Sequence, residues 1–258
     1  MNGAEPQQKP GEEDTLPLNG AGESIAMCFS GGKDSSLALW EIRRAQTYVV
    51  ETLLTTVNAE YDRVSMHGVR RELLREQADA IGIPMTEVPV PRVCTNAVYE
   101  REMGAAFARL AAAGIRRVAF GDIFLEDLRT YREEQLAASK LECFFPLWKQ
   151  DTGKLARRFI QGGFKAVLVC VNLKVLDSTF AGRRFDEALL SDLPPGVDPC
   201  GENGEFHTFV YDGPVFRRSV RVSTGEVVQR DSFVFCDLLA ASPPRRSAPP
   251  SPNPGGEE

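Results

Sequence analysis

Residues 25–40 read IAMCFSGGKDSSLALW. An apolar run from Ile25 to Phe29 breaks at Gly31-Gly32 and resumes as Leu37-Ala38-Leu39-Trp40, the order of a strand, a tight turn and a helix. The two glycines admit backbone angles closed to other residues, so the turn can aim several N–H groups at one point. The helix adds the positive end of its dipole, Ser30 and Ser35 add hydroxyls, and Lys33 adds a cation. Such a cradle suits phosphate oxygens, and the expected ligand is a nucleotide. The plainer alternative is a turn capped by Asp34 or Ser35. That turn needs neither both serines nor the lysine. A Walker A loop is excluded, because Lys33 is followed by Asp34 and position 27 is Met27; the Gly-x-Gly-x-x-Gly fingerprint is absent too.

Outward from this loop, apolar runs recur. Val49 to Val57, Met85 to Val90 and Arg117 to Phe120 read as strands, separated by helices over Ser35 to Ala45, Val69 to Ile81 and Ala97 to Ala113. This βαβα order predicts an α/β fold, a Rossmann-like parallel sheet with helices on both faces, over residues 23–142. Leu73, Leu74, Gln77, Ala78 and Ile81 share one largely apolar helix side, and Gly82 and Pro84 mark its end. After Gly121 a charged stretch, Asp122 to Glu134, leads through a short helix to Cys143 and Trp148. Lys154 to Gln161 reads as a helix and Ala166 to Val171 as a strand. Thr208 to Tyr211, Val215 to Val222 and Val227 to Phe235 are extended, separated by Asp212-Gly213-Pro214 and Gly225. Residues 143–240 are therefore expected to form a smaller C-terminal α+β domain that binds substrate, and residues 1–22 and 241–258, rich in Pro, Gly, Ser and charge, to be disordered tails.

A chain of 258 residues, 43% hydrophobic and 26% charged, fits two small globular domains better than one large one. No run approaches the length of a membrane span and the N-terminus carries no signal-type apolar stretch, so a cytoplasmic location is expected, without a membrane partner. The net charge of −6 argues against broad attraction to nucleic acid, and arginine pairs such as Arg43-Arg44 and Arg183-Arg184 never grow into a longer basic run. Cysteines at 28, 94, 143, 170, 200 and 236 form no CxxC pair. They read as reduced thiols, and a structural zinc is not expected.

In an open parallel sheet the ligand sits beyond the carboxyl ends of the strands, so the residues just after each strand are the candidates. They are the loop 30–35, Thr55 with Met66-His67-Gly68 beyond it, and Gly121-Asp122-Ile123 followed by Arg129 and Arg132. Asp34 and Asp122 suit Mg²⁺, against an N-cap role for the first and a self-bonded loop turn for the second. His67 either contacts the nucleotide or fills its loop. Arg129 and Arg132 either clamp an anion or pair with Glu126 and Glu133 on an exposed helix. A further stretch, Asp198 to Phe209, packs Glu202, Glu205, His207 and Thr208 into a glycine-rich turn leading to a strand, whereas a plain hairpin would need only Asn203-Gly204. The surplus favours a site that orients an amine or acts as its base. Cys200 has nothing near it in sequence to activate it and is read as structural.

The loop Ser30 to Ser35 resembles the Ser-Gly-Gly-x-Asp-Ser loop of the N-type ATP pyrophosphatases, which split ATP into AMP and pyrophosphate. Together with Met66-His67-Gly68, Gly121-Asp122-Ile123, Leu128-Arg129 and Gly201-Glu202-Asn203-Gly204-Glu205-Phe206-His207-Thr208, it makes residues 24–238 similar to the diphthine–ammonia ligase family within that group. The resemblance implies an N-terminal HUP domain that binds ATP through Ser30, Gly31, Gly32, Lys33, Asp34, Ser35, Thr55, His67, Gly121 and Asp122, with Mg²⁺ on Asp34 and Asp122. It implies a substrate site with Arg129, Arg132, Glu202, Glu205, His207 and Thr208, and catalysis by Lys33, Asp34, Glu202, Glu205 and His207. The implied reaction adenylates a carboxylate, small or protein-borne, for attack by ammonia or an amine. A homodimer is open. Members that act on diphthine resemble Gly-Glu-Gly-Gly-Glu-Tyr-Glu-Thr where this chain has Asn203, Phe206 and His207, so another acid is expected, in keeping with the Arg-, Ala- and Pro-rich composition of a diverged bacterial member. Two rivals use the same loop: a tRNA-base-modifying enzyme and a nucleotide-binding regulator without turnover.

Overall fold

The computed structural model describes residues 22–58, 60, 63–64 and 68–241. The expected tails lie outside these residues except at Gly22 and Ala241, and so do Met66 and His67.

The first sheet is built from β1 (Glu23–Cys28), β2 (Tyr48–Asn58), β3 (Arg63–Val64), β4 (Met85–Val90), β5 (Arg117–Ala119) and β6 (Glu142–Phe144). Five of them run parallel in the order β4-β2-β1-β5-β6, and β3 pairs antiparallel with the far end of β2. The chain leaves β1 in one direction to β2 and later returns on its other side to β5, so β1 stands at the switch point where such sheets open a crevice. Side chains alternate across the sheet. Ile25 and Met27 meet α1 (Lys33–Ala45) and α2 (Arg71–Ile81), while Ala26 meets α3 (Asn96–Ala112) and α4 (Glu126–Ala137). Helices therefore cover both faces, as the βαβα order predicts.

The second sheet is antiparallel, in the order β8-β7-β10-β9, from β7 (Lys165–Asn172), β8 (Phe206–Asp212), β9 (Val222–Arg230) and β10 (Phe233–Ala240). The helices α5 (Thr152–Gln161), capped by the Asp151 carboxylate, and α6 (Glu187–Asp192) accompany it. Its buried residues, among them Val167, Phe206 and Phe209, join those of α1 and α2 in one continuous core. No helix among the described residues is long and apolar enough to cross a membrane.

Three sequence readings change. The extended run 227–235 is two strands, because Asp231 adopts φ +53° and turns the chain between β9 and β10, while residues 215–221 are irregular. The charged stretch after Gly121 is itself helix over most of its length: α4 buries only Leu136 fully and rests Arg132 on the Phe120 ring, so no apolar stripe announces it. Finally, β6 pairs with β5, so the first sheet runs through Phe144, past residue 142.

One ion cluster ties the start of α2 to the second sheet. Asp237 on β10 accepts from Arg63 at 2.9 Å and from Arg70 at 3.2 and 2.6 Å. Burial pushes this carboxyl up, but the arginine hydrogen bonds outweigh burial and hold it at about 2, below its ordinary 3.8. A depressed carboxylate contributes stability above its unfolded pKa that is lost as the pH falls through the folded one. Asp237→Asn should therefore cost about 1–2 kcal/mol in urea unfolding at pH 7, with the gap closing toward about pH 2. A gap that stays constant over that range contradicts this account of the cluster.

Candidate functional site

The turn between β1 and α1 is shaped by what surrounds its glycines. Gly31 has φ +79°, and a Cβ there would lie 2.4 Å from Gln77 Oε1 and 2.8 Å from Leu74 Cδ1. Gly32 occupies the N-cap of α1 without any side-chain cap, and a Cβ there would lie 3.2 Å from the Thr208 carbonyl. Gly121, two residues beyond β5, faces the same helix end: its Cβ would sit 2.9 Å from Ser35 N and 3.0 Å from the Asp34 carbonyl carbon. The serines brace the turn from within. Ser30 Oγ accepts from Gly32 N at 3.3 Å and lies 3.2 Å from Ser35 Oγ, which donates to the Gly32 carbonyl at 3.0 Å.

The turn rests on the open edge of the second sheet. Thr208 Oγ1 accepts from Lys33 N at 3.0 Å, and Val210 N donates to the Gly31 carbonyl at 3.0 Å. Gln77, fully buried on α2, donates its side-chain amide to the Gly31 carbonyl at 2.9 Å and to the Val210 carbonyl. An edge strand with unmet N–H and C=O groups invites pairing; here the loop and one side chain occupy it.

Charge converges on the same place. Lys33 is 4% exposed, with its ammonium 2.8 Å from both Asp34 carboxylate oxygens, bonded to the Cys200 carbonyl, and 5.6 Å from the Phe206 ring centre. Burial opposes its charge, and Asp34, with Glu202 adding to it, outweighs burial and keeps it protonated. Asp34 is raised chiefly by burial, with repulsion from Asp198 and Asp122 adding to it and Lys33 working against it. Glu202 is pushed up to about 7, first by burial and then by Asp34 and Asp122, while the bond from Ile123 N and the charge of Lys33 pull it down. Its Oε1 accepts from Ile123 N at 2.7 Å and Phe124 N at 3.4 Å, so this residue of the second domain latches onto the loop that leads into α4. Asp34 and Glu202 thus act on Lys33, while Asp198 and the Arg132-paired Asp122 act on Asp34 from further out.

Not every expected residue faces this centre. Glu205 is 5% exposed and spends its carboxylate on its own loop, accepting from Asp198 N, Asn203 Nδ2 and Asn203 N at 3.0, 3.0 and 2.9 Å. Thr208 uses its hydroxyl on Lys33 N. His207 precedes Thr208 in β8, and successive strand residues leave on opposite faces, so the imidazole departs on the far side from Thr208. Asp122 has both oxygens on Arg132, at 2.6 and 3.2 Å, and enters the site through its charge. Arg129 pairs with Glu133 at 2.7 Å and lies over the Phe145 and Trp148 rings at 5.2 and 4.8 Å. Thr55 is buried directly after Leu54, whose carbonyl accepts from Phe29 N at 2.8 Å, beside the loop. Burial raises the Cys200 thiol far above its ordinary range, and its Sγ donates to the Thr152 carbonyl, an inert arrangement. Asp198 and Gln77 join the site without having been expected there. Both carried a signal: Asp198 opens the glycine-rich stretch 198–209, and Gln77 is the polar member of a buried stripe.

Among the described residues no three His, Cys, Asp or Glu side chains form a ready-made metal site. Mg²⁺ at a phosphate-binding loop characteristically takes one or two carboxylates and completes its shell with phosphate and water oxygens. Asp34, in the loop itself, fits that use in place of its present partner, the Lys33 ammonium 2.8 Å from both its oxygens; Asp122 likewise has both oxygens on Arg132 and lies outside the loop.

A parallel sheet with a Ser-Gly-Gly-Lys-Asp-Ser turn at its switch point defines a nucleotide-binding enzyme of the ATP pyrophosphatase class. Residues 22–137 match the model of the diphthamide synthase N-terminal domain and residues 151–242 that of the diphthamide synthase C-terminal domain. The chain is similar to the diphthine–ammonia ligases of Bos taurus and Homo sapiens, each 25% identical over 235 residues, 83% of this chain and 88% of theirs. The diphthine–ammonia ligase of Schizosaccharomyces pombe is 29% identical over 128 residues, 48% of this chain and 21% of that one. The chain belongs to the diphthamide synthase family, a family of ATP-dependent carbon–nitrogen ligases.

Gly121→Ala tests the packing behind the loop. The added methyl must push against the backbone of Asp34 and Ser35, at a cost of about 1–3 kcal/mol, and should shrink the rise in melting temperature that saturating ATP confers. A variant that melts and responds to ATP like the wild type removes Gly121 from the site.

Proposed function

We propose that the chain adenylates a carboxylic acid with ATP, releasing pyrophosphate, and then forms an amide from ammonia or an amine, releasing AMP. The observation that carries this reading is the Glu202 latch: the loop that bonds Ile123 N through Glu202 also bonds the Lys33 ammonium through the Cys200 carbonyl, which brings a raised carboxyl beside the glycine turn. The loop 30–35 would receive the β- and γ-phosphates through its N–H groups, its serines and Lys33. Asp34 would hold Mg²⁺, which when bound spreads the negative charge of departing pyrophosphate. The substrate carboxylate oxygen bonds to the α-phosphorus as the bond to pyrophosphate breaks. Nothing here calls for a protein nucleophile, because positioning and charge stabilisation supply the rate.

Glu202 has the pKa for the second half of the reaction. A carboxyl near 7 is deprotonated often enough at neutral pH to take a proton from an incoming ammonium. Glu202 passes that proton to water, the nitrogen bonds to the acyl carbon as the bond to AMP breaks, and Glu202 takes the second proton, which the nitrogen sheds as the amide forms. Glu205 and Thr208 support this chemistry from behind, the first by shaping the loop that carries Glu202 and the second by holding Lys33 N. Asn203, in the loop that carries Glu202, departs from the Gly-Glu-Gly-Gly-Glu pattern that members acting on diphthine resemble, which argues for a different acid. All six cysteines are free, as a reducing cytoplasm would keep them.

Supplying Mg-ATP, ammonium and a library of carboxylic acids should yield AMP and pyrophosphate in equal amounts with at least one acid; ADP and phosphate instead would sink adenylation. With that acid, amide formation by the wild type should rise as pH increases through about 7 and then level. Glu202→Gln keeps the acceptor for Ile123 N and should flatten that rise while lowering the rate about 100-fold. An unaltered pH profile removes Glu202 as the base.

A further inference from the structure

Gln77 lies among Leu73, Leu74, Ala78 and Ile81 with no exposure at all. Its amide nitrogen commits both protons, one to the Gly31 carbonyl and one to the Val210 carbonyl. Two oxygen acceptors settle which way round the amide sits, since the reverse would press oxygen against oxygen. The price is Oε1, buried and without a hydrogen-bond partner. An apolar side chain of the same length would remove that orphan but strip the buried Val210 carbonyl of its donor, so the balance of stability does not single out a glutamine here.

The position of those bonds does account for it. The Gly31 carbonyl is gripped twice, by Gln77 Nε2 and by Val210 N, and is held back toward α2 and β8. Across a planar trans peptide the N–H of the next residue points the opposite way. Fixing the Gly31 oxygen therefore turns Gly32 N–H outward, to the side where Ser30 Oγ accepts it at 3.3 Å. Because Gln77 also binds the Val210 carbonyl, it ties this setting to the second sheet, standing in for the peptide group of an absent neighbouring strand.

We propose that Gln77 is a positioning residue for nucleotide binding: its side-chain amide sets the Gly31–Gly32 peptide plane and couples that setting to β8. This rests on the reading of loop 30–35 as the ATP site. Gln77→Met keeps length and removes the donors; Gln77→Leu does so with a shorter side chain should methionine disturb the core. Urea unfolding, Mg-ATP titration and amide exchange at Gly32 in the nucleotide-free protein are measured for both. The expected result is a midpoint close to that of the wild type, since one buried orphan replaces another, with ATP binding about tenfold weaker or worse and faster exchange at Gly32. Unchanged ATP affinity and Gly32 exchange would overturn the proposal, as would a loss of stability in both variants with affinity intact. A wild type that binds no ATP but whose Gly32 exchange still depends on Gln77 would remove the ATP reading and leave the loop-setting role standing.

Discussion

The free edge of β8 is the constraint on which the molecule turns. A terminal strand must have its N–H and C=O groups covered, and a phosphate loop must be held rigidly enough to present its own N–H groups to a ligand. The same few bonds do both. Thr208 holds Lys33 N, Val210 holds the Gly31 carbonyl, and Gln77 joins the two from α2. The proposed nucleotide cradle is thus a joint product of two sheets, although the glycine loop that names it lies in the first.

That dependence extends to charge. Burying Lys33 beside Asp34 is tolerable because the ammonium also finds the Cys200 carbonyl and two aromatic faces. Cys200 and Glu202 belong to one loop, stiffened by Asp198 and Glu205. Bringing that loop down over Lys33 places Glu202 against Ile123 N, where burial and nearby carboxylates lift it to about 7. The raised pKa of Glu202, on which its proposed role as base rests, is then a consequence of domain packing rather than of any local motif.

Legibility in the sequence follows the range of the interactions. The order strand, glycine turn, helix was readable around residues 25–45 because glycine conformation and apolar periodicity are local; Gly82 at φ +77° ends α2 where the Gly-Ile-Pro segment suggests. The turn at Asp231 was not, since Asp231-Ser232 holds no glycine or proline to break an apolar run, although aspartate tolerates the left-handed region. Within the site, Lys33, Asp34 and Glu202 converge as their motifs imply. The family motif flags Glu205, Thr208 and His207 alike, but their roles divide by tertiary placement: a loop clamp, a helix cap, and a side chain on the far face of β8 that strict alternation along the strand would have revealed. The bond from Gln77 to Gly31 spans 46 positions in sequence, and no window of residues displays it.

If the edge of β8 builds the nucleotide site, removing one hydroxyl from that edge must be felt by ATP. Isothermal titration of Mg-ATP into Thr208→Val, which keeps the shape and deletes only the acceptor for Lys33 N, is the most direct measurement. A lost helix-start acceptor worth ~1 kcal/mol predicts a dissociation constant about fivefold weaker with the fold intact. An unchanged constant would contradict the claim that the second sheet shapes the loop.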